Sequence, residues 1–180
     1  NYDRYHKNSE NIYRVVVRGK MSGQVFNFAV TPAPMAPALM KDFPEVVSAT
    51  RIDKAEEIIV SNSKDEYFEK NILYADSAFF DVFSYEWIAG NKKDALSIPY
   101  NIVLTRSAAK KYFGKESPVG KTLTLNQQDD FEVVGVIEDV PPNSHFTFDM
   151  VVSFESLYDL DKKGYLNSWT SLSYYTYFLL

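Results

Sequence analysis

Residues 114–122, with the sequence GKESPVGKT, come closest in this chain to a motif with defined chemistry. A phosphate-binding loop needs four residues between its glycines. It also follows a strand and opens a helix, so that the helix N-terminus meets the phosphate. Here five residues separate Gly114 from Gly120, and the flanking patterns predict a helix before the segment and a strand after it. We therefore predict a turn and assign no nucleotide site.

His6 and His145 are the only imidazole side chains of the chain. Neither belongs to a spacing such as His-x-x-x-His, which brings two ligands to one metal ion. Ser144 and His145 are sequence neighbours, a poor arrangement for a nucleophile and its base. The Gly-x-Ser-x-Gly motif of a nucleophile elbow is missing from the sequence. We predict a loop or half-buried position for both histidines.

Two pairs of neighbouring carboxylates, Asp129/Asp130 and Glu138/Asp139, fall at a predicted hairpin tip and a predicted strand end. Neighbours on a strand point to opposite faces, so neither pair converges on a substrate. We interpret all four as solvated turn residues. Since the chain also has no cysteine, thiolate metal sites, thiol nucleophiles and disulfides are excluded. The sequence thus predicts no catalytic residue, no cofactor and no metal site.

The composition indicates a globular chain that does not bind nucleic acid. The 180 residues are 46% hydrophobic and 16% aromatic, with a formal net charge of -5 and a pI of about 5.1. No basic cluster is large enough to neutralise a row of phosphates. No apolar run approaches the roughly 20 residues that cross a bilayer. The first residue is not Met and the last ones are apolar, which indicates a piece of a longer protein.

Residues 131–154, FEVVGVIEDVPPNSHFTFDMVVSF, predict the core of the fold. Apolar residues alternate with others on both sides of a breaker at Pro141 and Pro142, which is typical of strands with one well-buried face. Adjacent prolines cannot donate hydrogen bonds to a sheet, so we expect the chain to leave the sheet there.

The remaining patterns predict an alternation of strands and helices. A strand over residues 12–20, a return strand at 25–30, a helix within 31–44 capped by Thr31, and a strand over 46–53 form a split β-α-β pattern. The later predictions are short strands at 58–60 and 67–68, a helix capped by Asp76, a strand at 102–104, a helix from Thr105 to Phe113 with Gly114 as its C-cap, a hairpin of 121–125 with 131–140, a helical turn at 155–160, a polar loop at 159–167 and a last strand within 169–180. The aromatic cluster around Phe79, Phe80 and Phe83 is predicted to be core packing.

Three segments, in this order and spacing, resemble the MacB-like periplasmic core domain of ABC transporter permeases, also called FtsX-like permeases. They are ADSAFFDVFS at residues 75–84, IVLTRSAAKKYFG at 102–114 with PVGKT at 118–122, and VGVIEDVPPNSH at 134–145. YDRYHKN at 2–8, TPAPM at 31–35 and FPEV at 43–46 are similar to the form found in the Bacteroidetes.

The resemblance implies an α+β fold and a two-lobed extracytoplasmic domain. Residues 1–11 would be a leader that follows a membrane helix. Residues 12–54 and 169–180 would form a porter-like split β-α-β lobe, discontinuous and truncated, and 55–168 an inserted, sabre-like mixed α/β lobe. The last strand can then pair with the first unit.

The resemblance also implies a non-catalytic function. Motion driven by ATP hydrolysis in a separate cytoplasmic subunit would pass through the membrane helices to this domain, which would face the periplasm from the bacterial inner membrane. The implied partners are that ATPase, a second permease copy and a periplasmic or outer-membrane protein. The alternative is a free-standing secreted binding protein or hydrolase with a ligand cleft between two lobes.

Overall fold

A large mixed β-sheet forms the body of the computed structural model, which describes residues 3–161 and 164–180. The strands are β1 (Ile12–Arg14), β2 (Val17–Met21), β3 (Gln24–Phe28), β4 (Ser48–Lys54), β5 (Ile58–Ser61), β6 (Glu66–Glu69), β7 (Ile72–Ala75), β8 (Trp87–Gly90), β9 (Asn101–Thr105), β10 (Thr122–Leu125), β11 (Asp129–Ile137), β12 (Met150–Ser153) and β13 (Tyr175–Leu179). The helices are α1 (Met35–Asp42), α2 (Phe79–Val82), α3 (Arg106–Phe113) and α4 (Ser156–Leu160), with 3₁₀ turns at Ser9–Asn11 and Tyr165–Asn167.

The order of strands across the sheet is β1, β13, β4, β7, β12, β9, β11, β10, β5 and β6, and β8 pairs with the end of β11. β9 and β11 are parallel, as are β7 and β12, whereas the other pairs are antiparallel. β2 and β3 form a separate hairpin. The α+β class is therefore confirmed. Among the described residues, no helix is long and apolar enough to span a membrane.

Both faces of the sheet are buried at its central strands, β4, β7, β12 and β9. One face packs against α3 and α4 through a cluster that includes Tyr74, Ala109, Tyr112, Phe131 and Phe154. The other face carries the aromatic residues of α2 with Ile52, Val103, Phe148 and Tyr177. The core packing predicted for the aromatic cluster is confirmed, since Phe79, Phe80 and Phe83 are each at most 3% exposed.

Several predicted elements are confirmed where the local signal was strong. α3 begins after Thr105, whose side chain accepts a hydrogen bond from the Ala108 N–H at 3.3 Å, and it ends at Gly114. The hairpin of β10 and β11 is present. The last strand was expected to pair with the first β-α-β unit. This pairing is present, since β13 pairs with β1 and β4.

Other predictions are wrong because contacts distant in sequence decide them. The strand that follows the double proline was predicted to have one well-buried face, but β12 is buried on both faces. The strand predicted over residues 12–20 is divided into β1 and β2. β7 was not predicted. Asn1 and Tyr2 of the predicted leader, and Lys162 and Lys163 of the predicted polar loop, lie outside the described residues.

Two predicted helix caps have other roles. Thr31 is buried, and its hydroxyl donates to the Tyr174 carbonyl at 3.0 Å and lies 2.7 Å from the Thr176 hydroxyl. The Asp76 carboxylate binds the Arg51 guanidinium, with Nη2 2.6 Å from Oδ1. Both residues therefore join elements distant in sequence rather than begin α1 or α2.

Asp53, in β4, is expected to destabilise the fold at neutral pH. Its side chain is half-buried on a strand that pairs with β7 at Tyr74, and burial raises its pKa from 3.8 to about 6. The folded state then binds the proton more tightly than the unfolded chain does, so stability falls as the pH rises from 3.8 to about 6. Asp53→Asn should raise the free energy of unfolding at pH 7.5 by about 2 kcal/mol.

Urea unfolding of the wild-type protein and of Asp53→Asn, from about pH 4 to about pH 7.5, measures this difference in the free energy of unfolding. The gain should shrink below pH 6, about the raised pKa, and vanish near pH 4. Asp42→Asn, at an exposed position at the end of α1, is the matched control and should show no such gain. A gain for Asp53→Asn that is constant with pH would contradict the interpretation.

Candidate functional site

The described part of the leader, residues 3–11, lies against the body through a small set of polar contacts. We call this contact the leader joint. Its residues are Asp3, Tyr5 and His6 on the leader and Ser84, Ser144, His145 and Tyr177 on the body. Backbone bonds join Asp3 to Asn143 at 3.2 Å and Leu180 to Asn11 at 3.1 Å, at the two ends of the leader. The joint therefore fastens both ends and the middle of this segment.

His6 is the deepest contact of the leader joint, with 3% of its surface exposed. Its ring lies among Tyr5, Phe83 and Tyr85, with ring centroids 4.1 to 5.4 Å away. The backbone N–H of Ser84 donates to Nδ1 at 3.0 Å. Burial lowers the pKa of His6 below its usual 6.5. The docked leader therefore contains a neutral imidazole.

Asp3, His145 and Tyr177 form a second, hydrogen-bonded connection from the leader to the sheet. Asp3 Oδ1 accepts the backbone N–H of His145 at 3.0 Å, and Oδ2 lies 2.5 Å from His145 Nδ1. His145 Nε2 lies 2.6 Å from the Tyr177 hydroxyl. Nearby, the Tyr5 hydroxyl lies 2.6 Å from the Ser144 hydroxyl. Because Tyr177 belongs to β13, this chain of bonds ends in the sheet.

The Asp3–His145–Tyr177 series has the connectivity of a nucleophile, its base and an orienting carboxylate. Tyr177 is only 6% exposed, however, and its ring packs against Phe83 with centroids 5.2 Å apart. Burial raises the pKa of Tyr177 to about 12. A buried phenol that keeps its proton at neutral pH is a poor nucleophile. The geometry fits a structural link better than a catalytic one.

The leader also lines two cavities. A cavity of about 740 Å³ is lined by Asp3, Arg4, His6, Ser9 and Glu10 together with residues of the body, including Arg14 and Phe83. A cavity of about 680 Å³ is lined by Tyr5, Lys7 and Asn8 with residues that include Phe80 and Glu86. The leader is therefore held mainly at the leader joint, and the two cavities leave open space between other parts of the leader and the body.

The residues that the sequence singled out for chemistry have structural positions. Gly114 ends α3, and the Gly120 N–H donates to the Val133 carbonyl at 2.8 Å, so residues 114–122 are a turn as predicted. Asp139 accepts hydrogen bonds from the Ser107 N–H at 2.8 Å and from its hydroxyl at 2.7 Å, in the first turn of α3.

Two of the other three carboxylates are also engaged by partners. Glu138 forms an ion pair with Arg106, which lowers the pKa of Glu138. Asp130 accepts from the Thr124 hydroxyl at 2.6 Å, and Asp129 begins β11. Within residues 3–161 and 164–180, no group of three or more His, Asp or Glu side chains is placed to hold a metal ion.

Sequence reasoning missed the leader joint. Residues 1–11 were expected only to be a leader, and His6 is more buried than the half-buried position predicted for it. The aromatic neighbour Tyr5 was the available signal. The partners Ser84 and His145 lie 78 and 142 residues away from their leader contacts, so no local pattern indicates them.

Comparisons with known proteins match the chain to one family over nearly its whole length. The family model described as the MacB-like periplasmic core domain matches residues 1–177. No curated protein sequence matches the chain. A solved domain of a protein described as a permease from Porphyromonas gingivalis is 26% identical, with a TM-score of 0.83 over 97% of this chain and 75% of that one.

Two further solved structures share the fold. The periplasmic region of MacB from Actinobacillus actinomycetemcomitans is 20% identical, with a TM-score of 0.66 over 94% of this chain and 74% of that one. The extracellular domain of the noncanonical ABC-type transporter YknZ from Gram-positive bacteria is 18% identical, with a TM-score of 0.60 over 93% of this chain and 81% of that one. At these identities the likeness concerns the fold alone.

Proposed function

The chain belongs to the MacB-like periplasmic core domain family, and from this premise we propose that it transmits motion and catalyses no reaction. Domains of this family are the parts of ABC transporter permeases that lie outside the membrane. In the proposed mechanism, a cytoplasmic ATPase subunit moves the membrane helices of the permease. The domain passes that motion to exported substrates or to partner proteins in the periplasm.

The leader joint is the observation that supports this proposal. A force applied to the leader is borne at His6 and along the Asp3–His145–Tyr177 bonds, which end in β13. β13 lies between β1 and β4 and hydrogen-bonds to both, so the load is shared by neighbouring strands. A buried sheet moves as a rigid body because its packing has discrete arrangements and deforms little.

The proposal includes the placement and partners of the domain. The permease lies in the bacterial inner membrane, and two copies act together with the ATPase and with a periplasmic or outer-membrane protein. The division into a porter-like lobe of residues 12–54 and 169–180 and an inserted lobe of 55–168 belongs to this proposal. β1, β13 and β4, the strands of the first lobe in the large sheet, are adjacent at one end of it.

The test uses the full-length permease with its ATPase in proteoliposomes. A spin label at the exposed position Lys110 in each permease copy, introduced as Lys110→Cys, reports the distance between the two domains; this chain contributes no cysteine of its own. ATP should change that distance. His6→Ala removes a buried ring and a hydrogen-bond acceptor, which costs about 3 kcal/mol of leader docking. The ratio of docked to free leader then falls about a hundredfold.

For His6→Ala we expect ATP hydrolysis to continue while the distance change is largely lost. Lys7→Ala is the matched control, because the Lys7 side chain is exposed and its contact with Ser84 is made by the backbone N–H. Domains that do not move when ATP is added, or that move normally in His6→Ala, would overturn the proposal.

A further inference from the structure

His6 is held in the leader joint in one protonation state. Nδ1 lies 3.0 Å from the Ser84 N–H and 3.2 Å from the Ser84 carbonyl, and we assign Nδ1 as the acceptor of the N–H because that contact is the shorter one. The single ring proton is then on Nε2. Nε2 is buried and has no hydrogen-bond partner among the described residues. The docked leader therefore already leaves one donor unsatisfied, which costs free energy.

A second proton on this ring would disrupt the contact. It would sit on Nδ1, facing the N–H of Ser84, and the bond between them would be lost. Among the described residues, the Ser84 carbonyl, 3.2 Å from Nδ1, is the acceptor that remains close to it. A positive charge would also be enclosed by the rings of Tyr5, Phe83 and Tyr85. Enclosing an ion in this way is unfavourable without a partner for each donor.

The charged groups around His6 do not reverse this effect. Asp3 favours the protonated ring, but its carboxylate is already bonded to the backbone N–H and Nδ1 of His145. His145 disfavours the protonated ring. Arg4, Glu10 and Arg14 line the adjoining cavity from the leader and from β1. Burial is the largest influence, and it lowers the pKa of His6.

We propose that the leader is a pH-sensitive latch, in which neutral His6 holds residues 5–9 on the body and protonation of His6 releases them. Its role in transport rests on the proposed function. The docked state binds fewer protons than the released state, so acid favours release. Below pH 6.5, the usual pKa of histidine, the ratio of docked to released leader falls by about tenfold per pH unit until the docked pKa is reached.

The contact at Asp3 does not depend on the protonation of His6. Asp3 Oδ1 accepts the backbone N–H of His145 at 3.0 Å, and a backbone N–H does not titrate. The contact at Asp3 is therefore kept when the contact at His6 is lost. This arrangement gives the latch two positions, in which the leader is either docked along its length or held at Asp3 alone.

Distances between two spin labels on the 180-residue chain, measured by double electron–electron resonance, test the latch without any transport assay. Spin labels are placed at the exposed positions Asn8 and Lys110 as cysteine variants, in a chain without other cysteines. At about pH 7.5 we expect one narrow distance distribution, and at about pH 5.5 a second, broader component from the released leader, with the ratio of released to docked leader increased by at most about tenfold. A label pair at Ser97 and Lys110, both on the body, should give the same distance at both pH values.

His6→Asn is the deciding variant, because its amide oxygen can accept the Ser84 N–H but does not titrate in this range. Its leader distance should not change with pH, whereas His145→Asn should keep the response. A wild-type distribution that is the same at both pH values, or a His6→Asn variant that responds like wild type, would overturn the latch. Either result leaves the transmission of motion at neutral pH untouched, since that is measured separately through ATP-driven movement.

Discussion

Replacing Arg51 by Met is expected to lower the free energy of unfolding by about 3 to 5 kcal/mol. Arg51 lies in β4 with a side chain that is 5% exposed, and it binds Asp76, whose side chain is 14% exposed. Met fills a similar volume but leaves this carboxylate buried without its charge partner. An uncompensated buried charge is among the most destabilising changes that one substitution can make.

Arg51 also contacts two other parts of the chain. Nη1 donates to the Ala33 carbonyl at 3.3 Å and to the Tyr158 hydroxyl at 3.2 Å. Its guanidinium lies 3.9 Å above the ring of Phe154. The residue therefore joins β4 to the segment before α1 and to α4. We expect urea unfolding of Arg51→Met to show the loss as a lower midpoint with an unchanged slope.

The double variant Arg51→Met/Asp76→Leu separates charge burial from packing. Removing both charges should recover much of the lost stability, because an apolar pair can replace a buried ion pair at little cost. Some loss will remain, since the Arg51 N–H donates to Asp76 Oδ2 at 2.6 Å in the native chain. A double variant no more stable than Arg51→Met would contradict the charge explanation.

The sequence predicted those features that depend on neighbouring residues. Helix α3 was predicted with both of its ends because Thr105 and Gly114 act within one turn of the helix that they cap. Alternation predicted strands over residues 131–140 and 146–154, and residues 131–137 and 150–153 of these segments are strands. The order of strands was not predictable in this way, because a period of two contains no information about which strand is the neighbour.

The leader joint and the Arg51 site were not predicted because their bonds connect residues that are far apart in sequence. Asp76 looked like a helix cap, since it precedes an apolar helical segment, and only the fold brings Arg51 to it across 25 residues. His6 was predicted only to have a loop or half-buried position. The resemblance to a family of permease domains predicted the overall fold class correctly, but it contains no information about these contacts.

Gly90→Ala is expected to lower the free energy of unfolding by about 3 kcal/mol. Gly90 ends β8 opposite Gly135 in β11 and has a φ of +81°, where an L side chain is strained by about 1 to 2 kcal/mol. An added Cβ would lie 2.1 Å from the backbone oxygen of Val134. The backbone of β8 would have to move, which adds about 1 to 3 kcal/mol for overpacking.

Gly120→Ala is the matched control for the backbone strain alone. Gly120 has a φ of +83°, and nothing lies within 4 Å of its added Cβ. Urea unfolding should therefore show a loss of about 1 to 2 kcal/mol for Gly120→Ala. The further loss in Gly90→Ala measures how firmly β8 is held against β11. Equal losses in the two variants would mean that β8 yields to the added methyl group, and that the sheet is less rigid at this edge than a body that transmits motion requires.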